Sequence, residues 1–383
     1  MKGTETHETS IFNKKKYQYH KSYHAKIFQC NNLSVLSMSY NELRKDYLLN
    51  RWVVIATERS RRPSDFVKQK AETAQTTVCP MCVGNEQLTP PSVMLYLKEN
   101  GEVIVAQDPL KGDRPKNWLI RVIPNLFPAF SPPKQPEDTA QIFKSECLGD
   151  AIGAHEVIVE SPNHDEDPAD VELPQLELVV HAYVDRLKEL SAKQYVKYVS
   201  IFRNFGKEAG ASLSHAHSQI IATPMVPPLI QEEMDASRAY FEDHGRCVFC
   251  DTLEQESKGP RLVYDSVDFV VFAPYASINP MEFWIVPKKH AVNILSLNDP
   301  EIAALAKTLK LSLKALKDVV NDPPYNYGIH LAIDKLAEKY YHWHLEVYPK
   351  LSIWAGFELN TGIYIPTVTP ETAAESLRNA LKA

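Results

Sequence analysis

The chain has 383 residues, 44% of them hydrophobic and 23% charged, with a formal net charge of −6. That mix describes a globular protein long enough for two domains or one duplicated unit, and the acidic balance excludes an electrostatic footprint for nucleic acid. There is no run of about 18 apolar residues to span a membrane and no apolar stretch of a signal peptide near the N-terminus, so the expected location is the cytoplasm.

Residues 1–37 hold six lysines, two acidic residues and no arginine, without an apolar period. The expectation there is a disordered extension ahead of a body that begins near Met38. Further along, short alternating or β-rich runs predict strands over 52–56, 156–160, 198–202, 269–272, 282–286 and 344–348. Apolar residues recurring every three or four positions predict helices over 171–190, 300–320 and 371–381. The proline-rich stretch 107–140 reads as irregular connection.

These elements repeat. Glu156 opens a strand and a turn that reach His164; Glu282 opens the same pattern ending at His290. A long helix and then a strand follow each histidine, and each half closes on His-x-His, at His215-Ala216-His217 and His342-Trp343-His344. From His164 to His215 is 215 − 164 = 51 residues, and from His290 to His342 is 342 − 290 = 52. A Cys-x-x-Cys precedes each half, at Cys79/Cys82 and Cys247/Cys250. Four features in one order predict an α+β protein made of two tandem units, each an antiparallel sheet with a long helix packed on it. Their predicted bounds are 41–235 and 240–383.

Zinc takes four ligands in a tetrahedron, and a Cys-x-x-Cys turn presents two thiolates to one ion. The repeat supplies two complete sets: Cys79, Cys82, His164 and His215, then Cys247, Cys250, His290 and His342. Four protein ligands leave no open position, so both zinc ions are expected to be structural. A thioredoxin-like redox role is disfavoured because neither pair is expected to open a helix inside a βαβ pattern.

His215, His217 and Gln219 are expected on one face of a strand, since strand side chains alternate. A neutral imidazole is a competent nucleophile toward phosphorus near neutral pH. With His215 held by metal, His217 is the candidate nucleophile, and the Gln219 amide can donate to phosphoryl oxygens as charge builds there. Glutamine cannot exchange protons, which disfavours hydrolysis and favours transfer between phosphates, where nucleophile and leaving group are already anionic. A non-catalytic zinc scaffold that binds nucleic acid is disfavoured by charge.

In these motifs the chain resembles the galactose-1-phosphate uridylyltransferase family of the histidine-triad superfamily, over about residues 41 to 382. The carriers are Arg59-Ser-Arg-Arg62-Pro63, Cys79-Pro-Met-Cys82, Ser161-Pro-Asn-His164, Asn204-Phe-Gly, Gly210-Ala-Ser212 and His215-Ala-His217-Ser-Gln219. In the second half they are Cys247-Val-Phe-Cys250, Pro287-Lys-Lys-His290, His342-Trp-His344 and Gly356-Phe-Glu358. The resemblance implies that His217 takes the nucleotidyl group and Gln219 binds the phosphate. It places Arg59, Arg62, Asn125, Asn204, Gly210 and Ser212 along the nucleotide. It also implies a homodimer in which Phe357 and Glu358 serve the sugar phosphate of the partner's site. Two departures bear on substrate: Ala216 stands where well-known members have proline, and the second cysteine pair matches the plant-type ADP-glucose phosphorylase branch, whereas some members hold a second metal on histidines and a glutamate. The expected reaction is uridylyl transfer from UDP-glucose to galactose 1-phosphate, with ADP-glucose phosphorolysis as the alternative. In the second half the sequence His344-Leu-Glu346 suggests a degenerate site kept for structure.

Overall fold

The computed structural model describes residues 41–56, 78–109, 111–145 and 147–382. The predicted extension 1–37 and both Arg59 and Arg62 lie outside these residues.

Six strands belong to the first half of the main sheet. In chain order they are β3 (Met94–Glu99), β4 (Glu102–Ala106), β5 (Trp118–Pro124), β8 (Ala154–Val159), β9 (Tyr198–Phe205) and β10 (His217–Thr223), while β6 (Phe143–Ser145) and β7 (Leu148–Gly149) pair apart from it. The second half supplies β11 (Leu262–Asp265), β12 (Phe269–Phe272), β13 (Phe283–Pro287), β14 (Tyr325–His330) and β15 (His344–Pro349). They form one antiparallel sheet in the order β11-β12-β13-β15-β14-β9-β10-β8-β5-β3-β4. Outward from the centre the halves read β14-β15-β13-β12 and β9-β10-β8-β5, so the repeat seen in the sequence is a repeat in space. The predicted pair of sheets is therefore one sheet: β9 and β14 pair directly, with Phe205 opposite Tyr325 and Ile201 opposite Ile329.

Two long helices cover one face. Helix α1 (Leu173–Ser191) buries Leu176, Val179, Val180, Tyr183, Leu187 and Leu190, a stripe three or four residues apart. Two shorter helices, α2 (Pro228–His244) and α3 (Val248–Glu256), link the halves. The second long helix, α4 (Asp299–Val320), starts at a capping box: Asn298 accepts from the Glu301 N–H while the Glu301 carboxylate accepts from the Asn298 N–H. It ends where Asn321 turns left-handed at φ 58. Helices α1 and α4 pack on each other, and the residues beneath them, among them Ile158, Ile201, Ile220, Leu345 and Val347, belong to the larger core. Each such fully buried aliphatic side chain stabilises the fold by roughly 1.5–3 kcal/mol. A smaller core of Leu95, Leu97, Trp118, Ile123, Val157 and Val159 lies on the opposite face of the first half.

The stretch 107–140, expected to be irregular, contains β5. Its prolines flank the run Trp118-Leu-Ile-Arg-Val-Ile123, which has none and so keeps every N–H for the ladder. The β3–β4 hairpin turns at Asn100 and Gly101, both with positive φ (51 and 88); an Asn-Gly pair is the residue choice that such a turn favours.

The hairpin β1 (Glu42–Lys45) with β2 (Trp52–Ile55) opens the first predicted unit, yet it packs on the second half. Val53 and Ile55 are buried with Ala276 and Ile278, and Arg44 pairs with Glu371 at the start of α6 (Pro370–Ala380).

Candidate active site and metal centres

The first cysteine pair, in a turn before β3, meets both of its predicted histidines. Cys82 Sγ lies 3.3 Å from His164 Nδ1 and 3.6 Å from His215 Nδ1, and Cys79 Sγ lies 3.7 Å from His215 Nδ1. A tetrahedral zinc with bonds of about 2.3 Å to sulfur and 2.05 Å to nitrogen separates such atoms by about 3.5 Å. The far nitrogens fit too. His215 Nε2 donates to the Ser161 carbonyl at 2.8 Å, which leaves its Nδ1 lone pair facing the sulfurs, and His164 Nε2 is 3.0 Å from Ser214 Oγ, a hydroxyl able to accept its proton. Burial pushes the Cys82 thiol up to about 11, helped by Cys79, and lowers the His215 pKa.

In the second set Cys250 Sγ is 3.3 Å from His290 Nδ1 and 3.6 Å from His342 Nδ1. Its four ligand atoms, like those of the first set, all lie within 4.8 Å of one another. This pair opens a helix, with Cys247 at the N-cap of α3 and Cys250 in its first turn. The surroundings are still not βαβ, because α2 precedes α3 and the antiparallel β11–β12 pair follows it. The Cys250 thiol is held down to about 3, first by its hydrogen bond with Cys247 and then by His290 and His342. Each set could hold one metal ion.

His217 begins β10, and the Glu160 N–H bond to the Ala216 carbonyl extends the ladder one residue further back. His215 therefore stands just before the strand, its ring turned into the thiolates. In register His217 is opposite Val159 and Gln219 opposite Val157, so both lie on the face away from α1. His217 Nδ1 donates to the His215 carbonyl at 2.8 Å, which fixes the tautomer and leaves Nε2 with its lone pair. Burial lowers its pKa, with the positive Arg203 acting the same way, so the ring is neutral at neutral pH. Arg203 itself is paired with Glu160 beneath the strand, their side chains 2% and 4% exposed.

Around this strand the nucleotide-lining residues predicted from the resemblance fall into two groups. Asn125 follows β5, and its N–H donates to the His155 carbonyl at 2.8 Å. Asn204 sits on β9, and Gly210 follows in the next loop with φ +88; a Cβ there would lie 4.0 Å from Asn204 Nδ2. Ser212 is exposed in that loop. Phe357 and Glu358 lie in the short helix α5 (Gly356–Thr361), where Glu358 accepts from the Ala355 N–H. Among the described residues, no hydrogen bond or ring contact joins these two to His217.

Sequence reasoning missed several partners. Asn326 of the second half donates to Asn204 Oδ1 and to the Ala209 carbonyl, both at 2.7 Å, and so aims the Asn204 amide nitrogen away from itself. His155 holds Gln219, at 2.8 Å; its counterpart in the repeat is Met281, so the repeat did not point to it. A third buried group, Glu233, His330, His344 and Glu346, also brings one ligand atom each within 4.8 Å. Its members come from three segments with no shared spacing. They already bond one another: His330 Nδ1 to Glu233 at 2.9 Å and His344 Nε2 to Glu346 at 3.0 Å. Burial works to raise the Glu346 carboxyl, but His330 and His344 outweigh it and bring it down to about 2. His344, the repeat counterpart of His217, is fully buried, with ring contacts to Phe249 and Trp284. Its Nε2 is turned onto the Glu346 carboxylate at 3.0 Å in a fully buried setting, so this copy offers no accessible nucleophile.

Among the described residues no helix is long and apolar enough to cross a membrane. Residues 114–227 match the family model for the galactose-1-phosphate uridyl transferase N-terminal domain, and residues 233–382 match that for its C-terminal domain. The chain is 36% identical to ADP-glucose phosphorylase of Arabidopsis thaliana, over 88% of this chain and 92% of that protein. It is 32% identical to galactose-1-phosphate uridylyltransferase of Thermotoga maritima, over 88% and 98%. Among solved structures it is similar to the Arabidopsis thaliana ADP-glucose phosphorylase with bound ADP-glucose (TM-score 0.73, 33% identity, 88% and 98% covered) and to a uridylyltransferase (TM-score 0.65, 29% identity, 89% and 98% covered). With both halves matched in order and the relatives matched nearly end to end, this chain belongs to the galactose-1-phosphate uridyl transferase family of nucleotidyltransferases.

Proposed function

We propose that the protein transfers a nucleotidyl group from a nucleotide sugar through a covalent adduct on His217. The observation that carries this is the tautomer lock: Nδ1–H is committed to the His215 carbonyl, so Nε2 is an unprotonated nucleophile. Nε2 attacks the α-phosphorus, a nitrogen–phosphorus bond forms, and the bond to the bridging oxygen breaks, releasing the sugar 1-phosphate. The incoming phosphate oxygen then takes the nucleotidyl group and frees the imidazole. Gln219 donates to the phosphoryl oxygens in both steps; Asn125, Asn204, Gly210 and Ser212, with Arg59 and Arg62, line the nucleotide. Zinc on Cys79, Cys82, His164 and His215, and on Cys247, Cys250, His290 and His342, would act as a cross-brace in each half. In the first half it would fix the segment whose carbonyl orients His217.

For the donor we favour ADP-glucose with inorganic phosphate as acceptor. The greater similarity to the ADP-glucose phosphorylase over nearly the whole chain supports this, as does the second cysteine pair. The second reading, placed first by the sequence, is UDP-glucose with galactose 1-phosphate; the exposed Phe357 and nearby Glu358 favour it as a sugar-phosphate contact offered to a partner subunit in a cytoplasmic homodimer. Rapid quenching after mixing with either donor, each labelled in its nucleotide, tests both. Label is expected on wild-type protein and absent from His217→Gly. Adduct on His217→Gly, or turnover with no adduct, overturns the covalent reading. Faster uridylyl transfer to galactose 1-phosphate than phosphate-dependent ADP release overturns only the donor.

A further inference from the structure

We infer that His155 is a positioning residue for this reaction: it clamps the carbonyl oxygen of Gln219 so that the amide N–H groups face the phosphate. The inference rests on the proposed role of Gln219. His155 pairs in register with Ile221 of β10, two residues beyond Gln219, so the two side chains are diagonal neighbours on one face. The loop after β5 sets the histidine's tautomer. The Ala129 backbone N–H donates to His155 Nδ1 at 3.1 Å. A backbone N–H can only donate, so Nδ1 is the bare nitrogen and Nε2 carries the proton. That proton reaches Gln219 Oε1 at 2.8 Å.

The amide of Gln219 cannot then be flipped without setting two donors against each other. Its nitrogen is left on the far side, and no described residue accepts a hydrogen bond from it. Asn125 is set by its own loop instead. Its Oδ1 accepts the Phe127 N–H at 2.9 Å, and its Nδ2 lies 3.1 Å from His155 Nε2. One half-buried histidine, itself read by a backbone N–H, thus leaves the Gln219 amide with its donors turned away from the ring. A glutamine free to rotate would present its oxygen to the phosphate about as readily as its nitrogen, and oxygen against oxygen repels.

Three substitutions separate this from packing. His155→Gln keeps a donor near the Nε2 position; His155→Asn keeps an acceptor for Ala129 and loses the donor; His155→Leu loses both. The readout is the single-turnover rate of nucleotidylation at saturating nucleotide sugar, alongside KM, metal content and melting temperature. The Leu and Asn variants should slow the step about tenfold, the size of a lost hydrogen-bond alignment, with KM little changed; the Gln variant should recover most of the rate. Gln219→Ala should cost about a hundredfold, as for a lost oxyanion donor, and adding His155→Leu to it should cost nothing more. If the two losses multiply, or His155→Asn works at the wild-type rate, the clamp is wrong while the site stands. If Gln219→Ala itself keeps the wild-type rate, the reading of the site falls, and this inference with it.

Discussion

Glu160→Gln probes the ion pair under the His217 strand. Arg203 and Glu160 are 2% and 4% exposed, and Tyr183 adds a hydroxyl donated to the Glu160 carboxylate at 3.3 Å. Removing one member of a buried pair leaves the other charge without compensation, at about 3–5 kcal/mol. Unfolding entropy of roughly 2.1 cal/mol/K per residue gives about 0.8 kcal/mol/K for 383 residues. The melting temperature should therefore fall by about 4–6 °C, measured by calorimetry at fixed zinc and pH. Replacing both members, Glu160→Leu with Arg203→Met, should recover most of that, since an apolar pair of similar volume carries no desolvation cost. The carboxylate also works to raise the His217 pKa, so Glu160→Gln should move the acid limb of kcat/KM to lower pH. A fall below about 1 °C, or a double variant as unstable as the sum of its parts, would refute the reasoning, because it would mean that water already solvates the pair.

Elemental analysis should find two zinc ions per chain and one in Cys247→Ser; three would mean that Glu233, His330, His344 and Glu346 hold an ion as well. Gly210→Ala should fold with only the strain of a left-handed residue, about 1–2 kcal/mol, since nothing crowds the new methyl group. Yet it should weaken nucleotide-sugar binding about tenfold or more in a calorimetric titration, a misfit of about 1.4 kcal/mol; unchanged affinity would remove Gly210 from the site. Burial works to raise the Glu371 carboxyl, but Arg44 and Arg261 outweigh it and hold it low. Its stabilising contribution is therefore present above the ordinary carboxylate range and is lost as pH falls through the lowered value. Thermal melts should show wild type losing more stability than Glu371→Gln below about pH 4; parallel curves would contradict this.

The repeat was legible because its signals are chemical and evenly spaced: both metal sets were assembled from cysteines and histidines alone, and the structure brings each together. What escaped is instructive. Strand β5 was hidden by the prolines around it, and the β3–β4 hairpin was missed although Asn100-Gly101 announces its turn. Helix α2 has a weak apolar stripe, because its buried Glu233 bonds His330 and Tyr341 rather than packing against apolar neighbours. His155 and Asn326 act through contacts between strands far apart in sequence, which no local pattern records. The merging of the two sheets was likewise invisible, since β9 and β14 each read as an ordinary strand with an edge to fill.

That shared seam has a consequence for synthesis. Phe205 pairs with Tyr325, so when β9 leaves the ribosome its partner on that edge is still 325 − 205 = 120 residues away. At about 5–20 residues per second the edge stays bare for roughly 6–24 s. A strand with one bare edge in that interval is a template for whatever extended segment arrives first. A nascent neighbour on the same messenger carries an identical β14, so crowded polysomes favour exchange of halves between chains. Slower translation over residues 206–324 should lengthen that exposure, and the yield of correctly closed monomers should fall with it.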